Sequence, residues 1–259
     1  MSYANRIRRD KIREYLMQNR SAGVKDLGRE LNASEATIRR DLRELAREDG
    51  YRRTRGGISL DESRAELSVQ QRSHIQAEQK RGIGRRAAEL VSDGEVVFLG
   101  SGSTVVEVAR NLDRHRDLTV ITNSLPIATL LADNPRVSLL VAGGALRRAE
   151  LSFIGHIVEK ALMELRADKV IMGIHGIHPD HGLTNEYLPE AIVDRFLVHY
   201  APQLIIVADS SKLGKTKASY VGGIEDIDML VTDPGISLEM KGILEARGVR
   251  VVIAAGGAP

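Results

Sequence analysis

Ser34-Glu-Ala-Thr-Ile-Arg-Arg-Asp-Leu-Arg-Glu-Leu45 is the stretch whose reading decides the N-terminal part of the chain. Ile38, Leu42 and Leu45 recur at i, i+4 and i+7, which gives a helix one apolar stripe. Ser34 precedes it as an N-cap, because its hydroxyl can accept from a backbone N–H one turn on. The opposite face carries Thr37, Arg39, Arg40 and Arg43, more positive charge than solubility requires. Upstream, residues 24–31 form a second short helix joined through Asn32-Ala33, and residues 6–19 form a first helix with Ile12, Tyr15 and Leu16 packing inward. Two short helices on such a turn offer the second to the major groove. A basic amphipathic helix alone is also compatible with a solvated face. Arg52-Arg-Thr-Arg-Gly-Gly57 follows, however, and arginines beside a Gly-Gly turn suit a small hairpin that presses on a phosphate backbone. Helix, turn, helix and basic wing make a winged helix-turn-helix. The expected DNA contacts are Ser34, Glu35, Thr37, Arg39, Arg40, Arg43, Arg52, Arg53 and Arg55.

Charge is distributed to match. The 259 residues carry a net +2, yet residues 1–57 hold 15 Lys and Arg against 9 Asp and Glu, a net of +6. The remainder is net −4, so a basic reader is attached to a mildly acidic body. Aromatic residues make up 3% and Trp is absent, which argues against base stacking as the recognition mode. Without Cys there are no disulfides, thiolate metal sites or cysteine nucleophiles. The N-terminus lacks the apolar run of a signal peptide and no run is long enough to span a membrane, so a cytoplasmic protein is expected.

Residues 58–79 are polar and weakly periodic and read as a linker. From Lys80 onward helices alternate with buried strands: helix 81–91, strand 95–99, helix 105–112, strand 118–122, helix 126–132 and strand 137–142. A Gly143-Gly144 turn follows, then helix 155–165, strand 169–173, helix 188–198 and strands near 203–208, 229–232 and 250–253, the last at an edge. This alternation implies a layered α/β domain with a mainly parallel sheet over residues 80–259. Ligands of such sheets bind beyond the carboxyl ends of the strands. Gly100-Ser-Gly-Ser-Thr104 joins a strand to a helix there: its glycines admit a close approach, and Ser101, Ser103 and Thr104 offer hydroxyls, with free N–H groups for an anion. The same residues also suit a plain capped turn. Other strand ends add Thr122, Asn123 and Ser124, then Gly143 and Gly144 with Arg147 beyond, then Asp209 and Lys212. Together with Gly102, these groups suit a small polyol bearing a phosphate.

Two resemblances sharpen the reading. Thr37-Ile-Arg-Arg-Asp-Leu42 with Arg55-Gly-Gly57 resembles the N-terminal signature of the DeoR family of bacterial transcriptional regulators, with Arg55 where members often carry His. Residues 80–233 resemble the sensor domain of the same family, through Ser101 to Thr104, Val120-Ile-Thr-Asn123, Ala142-Gly-Gly144, Gly182-Leu-Thr184 and Asp209 to Lys212. That domain is similar in fold to ribose-5-phosphate isomerase and glucosamine-phosphate deaminase. The resemblance implies that Lys80 also lies near the phosphate, while the sequence alone suits it equally to capping a helix. Many members read Asp-Ser-Gly-Thr-Thr where this chain has Gly100-Ser-Gly-Ser-Thr104, so an aspartate able to bond a sugar hydroxyl is missing.

An isomerase-like enzyme is the alternative. Isomerisation needs a carboxylate base beside the sugar carbon, and Gly173-Ile-His-Gly-Ile177, where the isomerase carries its acidic cluster, has none. Glu186 and Glu190 are the remaining candidates, but such residues more often simply cap or solvate a helix. His175, His178 and His181 with Asp180 invite a metal reading, but they span a Pro-Gly loop rather than one helical face, so no metal is expected. Nothing calls for a cofactor. The sequence therefore implies a non-enzymatic DNA-binding regulator, a repressor of a sugar or polyol operon. Its partners would be double-stranded operator DNA, a phosphorylated sugar or polyol, and further copies of itself as a homodimer or homotetramer, because one small reading head makes few base contacts.

Overall fold

Apolar side chains from several short elements hold the N-terminal part together in the computed structural model, which describes residues 3–19, 21–46, 51–60 and 67–255. The elements are α1 (Tyr3–Asn19), β1 (Ser21–Gly23), α2 (Val24–Glu30), α3 (Glu35–Leu45), β2 (Tyr51–Thr54), β3 (Gly57–Leu60) and α4 (Val69–Ser73). Ile12 and Leu16 of α1, Val24 and Leu27 of α2, and Ile38, Leu42 and Leu45 of α3 meet Tyr51 and Ile58 of the wing in one buried cluster. Asn32 takes a left-handed conformation (φ +46°) in the turn between α2 and α3, which asparagine tolerates better than most residues. The wing is three-stranded, in the order β1-β3-β2. β1 was not legible, since three small residues show no period. Thr54 pairs with Gly57 across a two-residue turn, Arg55-Gly56.

The stretch 58–79 differs from the linker expected of it. β3 carries the wing to Leu60, α4 starts at Val69 behind a Ser68/Gln71 capping box, and the next helix begins at Ala77. Residues 61–66 of that stretch lie outside the described residues. The chain forms two compact units, residues 1–75 and 76–259. No helix among the described residues is long and apolar enough to cross a membrane.

The second unit is built on a seven-stranded sheet. Its strands are β4 (Val96–Leu99), β5 (Leu118–Thr122), β6 (Val137–Val141), β9 (Lys169–Met172), β12 (Leu204–Val207), β14 (Met229–Thr232) and β15 (Arg250–Ile253). They lie in the order β15-β14-β12-β9-β4-β5-β6, with every pair parallel. Successive side chains leave opposite faces. Thus Val97, Leu99 and Ile171 pack with α5 (Ala77–Ala88), α6 (Ser103–Ala109) and α7 (Leu125–Leu131). Phe98, Val170 and Met172 pack on the other face with α8 (His156–Glu164), α9 (Leu188–Val198) and Leu244 of α10 (Leu238–Ala246). Two small additions had no sequence signal. One is the hairpin of β7 (Ala145–Arg147) and β8 (Ser152–Ile154). The other is an antiparallel sheet of β10 (Gly176–His178), β11 (Gly182–Asn185) and β13 (Ser219–Gly222). Their strands are three or four residues long, too short for a readable period.

The strand order places the crevice. The chain leaves β4 for β5 and β6 on one side, then returns to β9 on the other, so the switch point lies between β4 and β9. At the carboxyl ends of these two strands Gly173 lies beside Ser101, where a Cβ on it would make an ordinary contact of 3.6 Å with the Ser101 carbonyl.

Candidate nucleic-acid interface and effector site

On α3 the capping residues are engaged with each other. Ser34 Oγ accepts from the Thr37 N–H at 3.2 Å and lies 2.9 Å from the Thr37 hydroxyl. Glu35 and Arg39 form an exposed ion pair at 2.9 Å, one turn apart. Arg43 leans back on the Arg39 carbonyl, and exposed Arg40 makes no hydrogen bond or ion pair among the described residues. In the wing Arg52, Arg53 and Arg55 are all exposed. Strand alternation sends Arg52 and Arg53 to opposite faces, and Arg55 occupies the tip.

In the second unit the expected ligand groups come from the carboxyl ends of the sheet. Gly102 has φ +123°, a conformation that favours glycine, and Ser103 and Thr104 start α6 with both side chains buried. Asp209 follows β12 and caps a 3-10 turn, Ser210–Lys212, accepting from the Ser211 N–H and hydroxyl. Lys80 is buried near the start of α5. A helix that precedes its strand begins at the strand's far end, and Gly82 lies against Ala254 and Ala255 beyond β15. Lys80 therefore sits at the same end of the sheet as these loops.

Three expected ligand groups have other partners. The Thr122 hydroxyl donates to the Leu99 carbonyl at 2.7 Å and accepts from the Ser124 N–H, tying the end of β5 to the end of β4. Gly144 is required by packing, because a Cβ there would lie 2.8 Å from the Ile154 carbonyl, whereas Gly143 faces open space. Arg147 is 8% exposed and held by Glu190 in a buried ion pair, with its guanidinium 4.3 Å from the Tyr187 ring centre.

A family model of the DeoR-like helix-turn-helix domain matches residues 8–64, and one of the DeoR C terminal sensor domain matches residues 75–234. The chain belongs to the DeoR family. It is 32% identical to the putative aga operon transcriptional repressor of Escherichia coli O157:H7, over 95% of this chain and 93% of the relative. It is 31% identical to the glycerol-3-phosphate regulon repressor of E. coli (strain K12), over 87% and 90%. Ribose 5-phosphate isomerase A of Methanocaldococcus jannaschii aligns with a TM-score of 0.40 and 19% identity, over 53% of this chain and 55% of that one. As a DeoR-family member the chain is a transcriptional regulator rather than an enzyme.

Several residues of this DeoR-family chain matter more than their sequence context suggests. Asp41, on the buried side of α3, accepts from Arg8 Nε at 2.5 Å and so ties α1 to the helix that presents Arg40. A carboxylate on the apolar stripe was the available signal. Glu190, read from sequence as a candidate base or a helix-capping residue, is 2% exposed: one oxygen accepts from Arg147, the other from Ser152 at 2.9 Å and Ser101 at 3.3 Å. Glu186 is paired with Lys217 instead. His175 donates to Asn185, whose amide donates to buried Asp194. His178 and His181 stack at the other end of the β10–β11 hairpin, and Asp180 pairs with Arg247. Among the described residues no group of three or more such side chains is placed to hold a metal ion.

Burial, reinforced by the charge of Glu150, raises the Asp194 pKa from 3.8 to about 7, against the opposing Asn185 bond and Arg147. The folded state thus binds a proton that the unfolded chain has already lost, so stability falls as pH rises from about 4 to 7, by about 1.4 kcal/mol per pH unit. Asp194→Asn removes this slope. Its melting temperature is expected to exceed that of wild type at pH 8, with the advantage vanishing toward pH 4. An equal offset at every pH would refute the assignment.

Proposed function

We propose that this regulator represses an operon for the use of a sugar or polyol and is released by a phosphorylated sugar bound in the second unit. The supporting observation is the division of chemistry between two units. One exposes Arg40, Arg43 and three wing arginines, and the other gathers a glycine–hydroxyl loop and Lys80, Asp209 and Lys212 at its sheet ends. Glu35 through Arg43 enter the major groove, while Arg52, Arg53 and Arg55 meet phosphates or the neighbouring minor groove. The reading unit lies within residues 1–75 and the sensing unit within residues 76–259. The phosphate lies on Ser101, Gly102, Ser103 and Thr104 with Lys80 and Lys212, and Asp209 and Asn123 accept hydroxyls. The protein works in the cytoplasm as a homodimer or homotetramer, setting several reading helices on repeated half-sites. The relatives named for the aga operon and the glycerol-3-phosphate regulon support a carbohydrate effector. Effector binding shifts the population only by its preference for the form that holds DNA poorly.

The test is binding of the purified protein to its own upstream DNA, with and without a panel of sugar phosphates. Specific binding released by one compound is expected. Arg40→Ala is expected to weaken operator binding about tenfold or more, roughly the value of one good base contact, with effector affinity unchanged. Lys212→Ala should do the converse. Equal damage to both functions by either change would contradict separate sites.

A further inference from the structure

Helix α9 is apolar on two sides. Ala191, Val193, Leu197 and Val198 are buried in the core, whereas Leu188 and Ile192, one turn apart, face outward at 55% and 44% exposure. Partly buried Phe196 is the next residue along that outer stripe. Its neighbour α8 repeats the pattern: Val158 and Leu162 are buried, while Ile157 and Met163 are 54% and 60% exposed. Single exposed apolar side chains are ordinary, but a helix apolar on both sides is one that is covered on both. A cavity of about 470 Å³ opens outward here, walled by Met163 from α8 and Phe196 from α9, with room for side chains from outside.

The charges of this face are also left over. Among the described residues Glu159, Lys160 and Glu164 of α8 enter no ion pair, and Arg195 of α9 reaches only the Ala191 carbonyl of its own helix, at 3.2 Å. Elsewhere in the same unit surface charges find partners, as in Arg86 with Glu89, Lys217 with Glu186 and Lys241 with Glu245. The two glutamates stand on one helix and the arginine on the other. A two-fold axis presents a patch to itself, so it can lay α8 of one copy along α9 of the other and set these acids against that base. The complementarity is internal to the patch, which singles out a second copy of this chain over an unrelated partner.

Resting on the homo-oligomer reading, we propose that the outward face of α8 and α9 is the surface on which a second copy of this chain docks. Ile157, Met163, Leu188 and Ile192 form its apolar centre, and Glu159, Glu164 and Arg195 its polar rim.

Sedimentation equilibrium of the full-length protein tests this. Ile192→Asp is expected to weaken association about 100-fold or more, because it sets a carboxylate without a partner in the middle of the contact. It thereby turns a dimer into monomers, or a tetramer into dimers. Ile192 is exposed within one copy, so the variant keeps the circular dichroism of a folded chain. Arg195→Glu should weaken association about tenfold, and adding Glu159→Arg and Glu164→Arg should restore most of it, since the pairing is then reversed rather than lost. An Ile192→Asp protein that associates like wild type overturns this inference alone and leaves the face to solvent or another occupant. A triple variant no better than Arg195→Glu does the same. A wild-type protein that stays monomeric at every concentration takes the homo-oligomer reading down with this one.

Discussion

Glu190→Ala is expected to lower the unfolding free energy of the unit spanning residues 76–259 by about 3–5 kcal/mol, because it takes the paired carboxylate from a buried guanidinium, that of Arg147. Both members of the pair are more than nine-tenths buried, so solvent screening offers little relief. The same change removes the acceptor of Ser101 and Ser152, which joins the loop after β4 to the β7–β8 hairpin through one carboxylate. The loss is mostly the cost of a buried charge left under-compensated rather than the net worth of the pair. Arg147→Met combined with Glu190→Leu should therefore recover most of the stability. Denaturant unfolding of the full-length protein, with the transition assigned by hydrogen exchange, measures both. A loss under about 1 kcal/mol for Glu190→Ala would mean that the pair is solvated like a surface ion pair. A double variant as unstable as the single one would place the loss in the serine bonds instead.

The same cluster marks how far the sequence could be read. Continuous apolar runs announced β4, β5, β9 and β12, and the i, i+4, i+7 stripe with its serine cap announced α3, because burial imposes a period on long elements. The β7–β8 hairpin and the β10-β11-β13 sheet carry no such period, and their residues are Ser, Thr, Gly, His and Asn as often as apolar. Side-chain roles were legible only by type. Thr122 showed a hydroxyl at a strand end, but its bond to the Leu99 carbonyl depends on how β5 lies beside β4. Arg147 showed a cation near a loop, and only the fold pairs it with a glutamate 43 residues away. Gly143 and Gly144 are indistinguishable in sequence, yet only the second is pressed against backbone.

The wing's Gly56-Gly57 pair poses that question again, with a larger consequence for DNA. Gly57→Ala is expected to lower operator affinity about 100-fold, whereas Gly56→Ala costs tenfold or less. At Gly57 a Cβ would stand 2.0 Å from the Ala22 carbonyl oxygen, within the pairing of β1 with β3. Backbone cannot yield there without parting the two strands, and that pairing anchors the hairpin bearing Arg52, Arg53 and Arg55 to the helical core through Ile58. Gly56 has open space around it and only an unfavourable φ of +122°, a strain of about 1–3 kcal/mol confined to the turn. With the wing arginines on phosphates as proposed, a detached wing would withdraw them together. The Gly57→Ala protein should therefore also show a shallower dependence of affinity on salt, by about 0.9 in the logarithmic slope for each phosphate no longer neutralised. Titrating operator DNA at several salt concentrations reads both quantities. An unchanged slope with reduced affinity would mean that Gly57 acts through α3 rather than the wing, and equal effects at the two glycines would mean that turn strain, not strand pairing, governs the wing.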